Sequence, residues 1–153
     1  MSTSTSEQLY LAASKWIGTR EVPGVRSNPT IVEWILRVIP WMRGGEKVDD
    51  STTAWCGVFL AVMCDSLGFK RPAQAYRAVR WLDVGQSVAW DAMVRGDVIV
   101  SSRGGGLYHV SLFGGWADNE RSTWWSLGGN QKDGVRLSMY GRERIRGVRR
   151  PVA

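Results

Sequence analysis

Ala54-Trp55-Cys56-Gly57-Val58-Phe59-Leu60-Ala61-Val62-Met63-Cys64-Asp65-Ser66-Leu67-Gly68 is the stretch on which the fold turns. From Trp55 to Leu67 it is apolar on nearly all sides, and it closes at Gly68, the residue type that most readily takes the left-handed conformation at a helix end. A helix without a polar face belongs in the middle of a core. Its most apolar part, Ala54 to Met63, has ten residues, whereas a bilayer span needs about 20. A buried helix, not a membrane anchor, is expected.

On the N-terminal side two amphipathic helices are expected. Ser4 and Glu7 fit a capping box, and Leu9, Tyr10, Ala13, Trp16 and Ile17 recur at helical spacing before Gly18. Asn28 then Pro29 gives an N-cap followed by proline at the first helical position, and Ile31, Trp34, Ile35 and Val38 make one apolar stripe that ends at Pro40. A glycine-rich, then charged, loop from Trp41 to Thr53 leads into the apolar helix. After it, Ala75, Val79 and Leu82 make a weaker helical pattern.

Beyond Trp90 the apolar period changes from 3.6 to two. Short runs at Asp97 to Ser101, Tyr108 to Phe113, Thr123 to Leu127, Val135 to Tyr140 and Ile145 to Arg149 are divided by Gly, Asn and Asp. They predict an antiparallel meander. Helices first and strands after make an α+β fold, a single domain over residues 1–153 with no repeat; residues 1–8, rich in Ser and Thr, are a candidate for disorder.

The chain has 153 residues, 44% of them hydrophobic and only five of them proline, which supports one packed core. Its start lacks the basic region and apolar run of a secretory signal, so an ordinary secretion route is not expected. The net charge of +6, with arginine dense from Arg142 to Arg150, favours encounters with polyanions, whether nucleic acid or an anionic bacterial wall. The same residues equally fit a solvated basic edge strand that resists sheet pairing. Cys56 and Cys64, eight residues apart on one helix, would stand about 12 Å apart at a rise of ~1.5 Å per residue. That is too far for a disulfide, so reduced thiols are expected.

Cys56 falls on the first turn of the buried helix, where unpaired backbone N–H groups and the positive end of the dipole favour thiolate. A small buried hydrophobe is the competing reading. Cys64, in mid-helix, reads as core. His109 is the only histidine, so any Cys–His chemistry must use it. Period two places it on one strand face with Ser111 and Phe113, opposite Tyr108, Val110 and Leu112. A Cys–His pair needs a third group to orient the imidazole. Ser126-Leu127-Gly128-Gly129-Asn130-Gln131 offers two amides there, or a plain Gly-Gly-Asn turn. A single histidine and the absence of paired metal-ligand motifs argue against zinc catalysis. Among Glu21, Glu33, Glu46, Asp49 and Asp50 no spacing singles out a glycosidase pair.

Ala54-Trp55-Cys56-Gly57-Val58-Phe59, Gly96-Asp97-Val98-Ile99-Val100, His109-Val110 and Leu127-Gly128-Gly129-Asn130-Gln131, in this order, resemble the NlpC/P60 and CHAP superfamily of papain-like peptidoglycan hydrolases, in particular a phage-associated single-domain group. Gly18-Thr19-Arg20-Glu21, Gly24, Ser27-Asn28-Pro29 and Val148-Arg149-Arg150-Pro151 add to the likeness, which spans about Leu9 to Pro151. The resemblance implies Cys56 as nucleophile, His109 as base and Asn130 as third catalytic residue, with Gln131 in reserve. It implies a Cys-bearing helix packed on a C-terminal antiparallel sheet, and acyl transfer with no metal or organic cofactor. The chain departs from the pattern at Tyr108 and Ser111, where many relatives have glycine, and at Gly128, where CHAP enzymes often have glutamate.

The expected function is a cysteine endopeptidase or N-acetylmuramoyl-L-alanine amidase acting on bacterial peptidoglycan, in the setting of a phage endolysin that reaches the wall through holin-type lesions. A secreted antibacterial amidase effector is the alternative within the same chemistry. A non-catalytic, basic, Trp-rich module that binds wall or polyanion is the alternative outside it. The expected partner is peptidoglycan, with no nucleic acid, no membrane insertion and a monomeric state.

Overall fold

The computed structural model describes residues 3–22, 27–44 and 53–153. Helix α1 (Thr5–Ser14) starts where the Ser4 hydroxyl accepts the Glu7 N–H, so ordered structure begins inside the Ser/Thr-rich start. The other half of the capping box does not form, because the Glu7 carboxylate is paired with Arg95. The helix stops before Gly18, and Trp16 and Ile17, expected on its buried stripe, are exposed in the following turn. Helix α2 (Pro29–Val38) is capped as expected: Asn28 Oδ1 accepts the Thr30 N–H at 2.9 Å, and Ile31, Trp34, Ile35 and Val38 are buried. The expected loop from Trp41 to Thr53 begins as a 3-10 turn, Pro40–Gly44, and its remainder over 45–52 lies outside the described residues, with Glu46, Asp49 and Asp50 in it.

Helix α3 (Cys56–Leu67) is the central element. Every residue from Cys56 to Cys64 is buried, and Gly68 closes the helix at φ 71°. Its first turn is tightly seated. A Cβ at Gly57 would stand 2.0 Å from the Ala75 carbonyl oxygen, so only glycine admits this approach. The weaker helical pattern at Ala75, Val79 and Leu82 is a short 3-10 turn, Ala78–Asp83, and not an α-helix. The Ala75 carbonyl, which an α-helix would offer to residue 79, instead accepts the Trp81 indole N–H at 2.9 Å.

Six antiparallel strands form the sheet: β1 (Gln86–Ser87), β2 (Val98–Gly104), β3 (Leu107–Trp116), β4 (Thr123–Gln131), β5 (Gly134–Gly141) and β6 (Ile145–Arg150), in the order β1-β6-β2-β3-β4-β5. The molecule is α+β, and β2 to β5 are a meander as expected. The last strand departs from that expectation: β6 returns to pair with β2, and its end is covered by β1, so the basic tail is not a free edge.

An ion pair on a buried carboxylate gives the physical reason. Asp97, fully buried, accepts from the Ser6 hydroxyl at 2.6 Å, from the Val94 N–H at 2.9 Å and from Arg150 at 3.0 and 2.9 Å. One carboxylate thus ties α1, the entry to β2 and the end of β6 together. Gly96 makes this possible, since its φ is 92° and a Cβ there would lie 1.8 Å from the Ser6 carbonyl oxygen.

One sheet face, with Val98, Val100, Val110, Leu112 and Leu127, packs with the three helices in the main core. The other carries a smaller cluster of Met93, Ile99, Phe113, Trp124 and Val148. Among the described residues, no helix is long and apolar enough to cross a membrane.

Candidate active site

Cys56 and Cys64 are both free and buried, as their spacing implies. Cys56 is the first residue of α3, and its sulfur meets backbone N–H groups of Gly57, of Cys56 itself and of Val110 on β3, the residue after His109. These contacts favour thiolate, as does the nearby charge of Arg103. Burial nevertheless outweighs them and raises the Cys56 thiol above its ordinary value. The helix start alone predicts the opposite direction. Position along a helix fixes the dipole, but not how much water reaches the sulfur. Cys64 lacks the same helix-start amides, and burial pushes it up to about 12.

His109 lies on the face of β3 that Ser111 and Phe113 share, as the period of two requires, but it is not a cleft-surface residue: it is 1% exposed. Both ring nitrogens are engaged. Nε2 lies 2.9 Å from Gln131 Oε1, and Nδ1 lies 2.7 Å from Arg103 Nη2. The proton position follows from the partners. A guanidinium only donates, so Nδ1 is the acceptor and the proton sits on Nε2, which donates to Gln131. The Gln131 amide is itself fixed, since its NH2 donates to the carbonyls of Ser126 at 3.0 Å and Arg136 at 2.8 Å. Ser126 Oγ donates to Gln131 Oε1 at 2.7 Å and touches Ser111 Oγ at 2.5 Å. A buried chain of Ser111, Ser126 and Gln131 therefore holds the imidazole in the tautomer with its proton on Nε2 and its lone pair on Nδ1, where Arg103 donates.

Asn130, expected as the third residue, lines the same hollow but makes no hydrogen bond to the imidazole; its backbone carbonyl accepts from Arg103 Nη2 at 3.1 Å. The reason is a β-bulge. Gly128 pairs with Arg136 but Gln131 pairs with Gly134, so β4 carries one extra residue in between, and Asn130 takes a left-handed φ of 56°. The bulge turns the alternation by one position and brings Gln131 to the face where Asn130 would stand in a regular strand. Gly128, where a glutamate was the family expectation, leaves the space that Gln131 fills: a Cβ there would lie 2.7 Å from Gln131 Oε1.

Arg103 reaches Nδ1 by the same device. On β2, Ser102 pairs with Tyr108 and Gly104 with Leu107, which leaves Arg103 as the extra residue of a second bulge. Bulges on both neighbours of β3 thus aim one side chain at each imidazole nitrogen. With Nδ1 so occupied, neither ring nitrogen is hydrogen-bonded to Cys56. Burial first, then the charge of Arg103, lowers the His109 pKa to about 4, against a smaller opposing effect of Gln131.

The site opens into a hollow of about 340 Å³, lined among others by Arg103, His109, Gln131, Lys132, Tyr140 and Arg144. The Tyr140 ring stands edge-on to the imidazole, with centroids 6.1 Å apart. The role of Arg103 is not legible from its residue type; the neighbouring Gly104-Gly105-Gly106 is the one local signal of a tight hairpin. Glu21, one of the carboxylates weighed for glycoside chemistry, accepts the Trp55 indole N–H at 2.6 Å. Among the described residues no three His, Cys, Asp or Glu side chains gather as a metal-binding group. The sequence matches no protein-family model, and no curated protein matches it significantly.

Proposed function

We propose that the chain is a cysteine amide hydrolase of papain-like architecture acting on bacterial peptidoglycan, with Cys56 as nucleophile, His109 as base and Gln131 as the residue that orients the base. The observation that carries this reading is the clamped imidazole. Nε2 is locked as a donor to a buried amide, so the lone pair that remains for proton transfer is on Nδ1, and the thiol at the start of α3 lies against the same strand one residue further on. Any buried imidazole needs partners on both nitrogens; what supports the reading is their order, a fixed acceptor on Nε2 and a charged, partly exposed donor on Nδ1.

In the reaction the Cys56 S–H proton passes to Nδ1 and the sulfur attacks the amide carbonyl carbon. The oxyanion takes hydrogen bonds from backbone N–H groups at the start of α3. As the C–N bond breaks, the imidazolium returns its proton to the leaving amine. Water then gives a proton to Nδ1 and adds to the thioester, the C–S bond breaks, and the thiolate regains the proton as the carboxylic acid departs. Nδ1 must be released by Arg103 before the first step. The substrate class rests on the order of motifs around Cys56, His109 and Gly128-Gly129-Asn130-Gln131, and a phage endolysin is the setting that order best supports.

Loss of turbidity of a purified wall suspension tests the reading. Activity should vanish in Cys56→Ala and persist in Cys64→Ala. A Cys56→Ala variant that still clears the suspension would end it. Mass spectrometry of the released muropeptides identifies the bond, either the lactyl amide to L-alanine or an amide within the stem peptide.

A further inference from the structure

Arg103, Lys132 and Arg144 line the hollow together with His109, and no Asp or Glu lines it. Among the described residues none of the three cations is in an ion pair. A concave site with several cations and no counter-charge concentrates anions. Arg103 is also poorly matched to its present partners. Only Nη2 is hydrogen-bonded, and both acceptors, the imidazole Nδ1 and the Asn130 carbonyl, are neutral. A guanidinium fork is geometrically suited to two carboxylate oxygens, and such charged pairs are about twice as strong as neutral hydrogen bonds. Arg103 is exposed and stands next to three glycines of positive φ, Gly104, Gly105 and Gly106, around which a Cβ would meet nothing within 4 Å. Two hydrogen bonds from Nη2 hold its guanidinium where it is.

We infer that this hollow is a carboxylate-binding subsite, that Arg103 is its receptor, and that a substrate carboxylate draws Arg103 off Nδ1 of His109 and so frees the base. Lys132 and Arg144 add to the attraction without touching the imidazole. The subsite selects amides that carry a carboxylate near the scissile bond over neutral ones. Binding of the carboxylate stands on the geometry of the hollow alone; its catalytic consequence rests on the hydrolase reading above. Two effects on His109 act in the same direction: one positive charge moves away from the ring and one negative charge arrives, and both favour the imidazolium that the reaction needs.

Because His109 is the only histidine, its two ring nitrogens can be followed by 15N NMR in the intact chain without interference. The probes are glutarate and, as the neutral control, glutaramide, at constant ionic strength. Glutarate is expected to raise the His109 pKa by about one pH unit or more and to move the Nδ1 resonance, and glutaramide to do neither. Arg103→Met should raise the His109 pKa without any ligand and abolish the response to glutarate, whereas Arg103→Lys should retain part of it. The double variant Lys132→Met/Arg144→Met should weaken glutarate binding roughly tenfold while leaving the ligand-free pKa in place. Equal responses to glutarate and glutaramide, or a full glutarate response in Arg103→Met, would overturn the inference. If that variant does not fold, an unchanged response in the double variant would overturn it as well. The readout does not involve wall lysis. A Cys56-dependent lysis without the NMR response sinks the subsite alone, and the NMR response without lysis sinks the hydrolase reading alone.

Discussion

Gln131 Oε1 lies 2.9 Å from Nε2 of His109, while the NH2 of the same amide is held by two backbone carbonyls, those of Ser126 and Arg136. The amide can neither flip nor rotate without breaking both of those bonds, so its oxygen is a fixed acceptor. Gln131→Ala should therefore lower the lysis rate by roughly 10² or more, the scale of a displaced acid–base group. Asn130→Gly, which suits the left-handed φ and keeps the backbone carbonyl, should remain near wild type. Rates of the two variants on one wall preparation check this. A larger loss in Asn130→Gly would return the orienting role to position 130.

Gly128 and Gly129 are both closed to a side chain, but only Gly128 abuts the orienting amide. A Cβ at Gly128 would meet Gln131 Oε1 at 2.7 Å and Ser111 Cβ at 2.9 Å, so Gly128→Ala should displace the orienting amide and lower the rate beyond what its loss of stability accounts for. A Cβ at Gly129 would meet the Trp55 ring at 2.6 Å and Phe59 Cβ at 2.9 Å, both rigid core atoms. Gly129→Ala should accordingly lower unfolding stability by about 1–3 kcal/mol. Urea denaturation with wall lysis, measured on both variants, reads the two effects. The prediction fails if Gly129→Ala is as stable as wild type.

His109 links stability to pH. Its pKa is about 4 in the folded chain and about 6.5 when unfolded. Between those values the unfolded chain holds a proton that the folded chain excludes, so stability falls as pH drops from about 6.5 to about 4, by about 3 kcal/mol in all. Above pH 6.5 this group makes no difference. Urea midpoints at pH 7 and pH 4.5, compared with those of His109→Gln, isolate the contribution. Parallel losses in the two proteins would show that other groups carry it.

The two thiols should differ in how they are reached. Cys56 is raised by burial but stands on the first residue of α3, against backbone N–H groups and near Arg103, which favour thiolate, whereas Cys64 is held near 12 deeper in α3. In the folded protein a limiting thiol reagent at neutral pH should modify Cys56 slowly and Cys64 only through global unfolding. Added urea below the transition should leave the Cys56 rate nearly flat and steepen that of Cys64. Peptide mapping after short exposures decides the matter, and equal rates would remove the distinction.

Asp97 should be a point of failure for the whole fold. It receives Ser6, Val94 and Arg150 in a fully buried position. Asp97→Ala leaves the Ser6 hydroxyl and the Val94 N–H without their acceptor, while Arg150, a third exposed, can turn to water, so it should cost about 1–3 kcal/mol. Arg150→Met strands the fully buried carboxylate and should cost more, about 3–5 kcal/mol, and the double variant less than the sum of the two. Thermal unfolding of the three variants tests the coupling.

Much of this was legible in local pattern. The all-apolar run after Cys56 could only be a central helix, Asn28-Pro29 could only open α2, and a period of two put His109 beside Ser111. What local pattern does not carry is the phase of a strand through glycines. Gly128 and Gly129 have no side chains to reveal which face they share, so the extra residue before Gln131 left no trace in hydrophobicity. Pairings across long separations are equally silent. Arg150 and Asp97 are 53 residues apart, and neither is marked as the other's partner by type or spacing. The contact of Arg103 with His109 belongs to the same class, because it depends on a bulge that only the paired strand defines.

The bulge in β4 has an evolutionary reading. A bulge absorbs one residue and restores the phase of the strand beyond it, so a single-codon insertion or deletion between Gly128 and Gln131 keeps the same amide on His109 as long as the bulge opens or closes with it. A lineage can therefore vary the count of residues before the orienting amide while the amide stays in the same place in space. In an ungapped alignment of such chains the orienting residue would fall in two neighbouring columns and look unconserved in both, although every molecule keeps it.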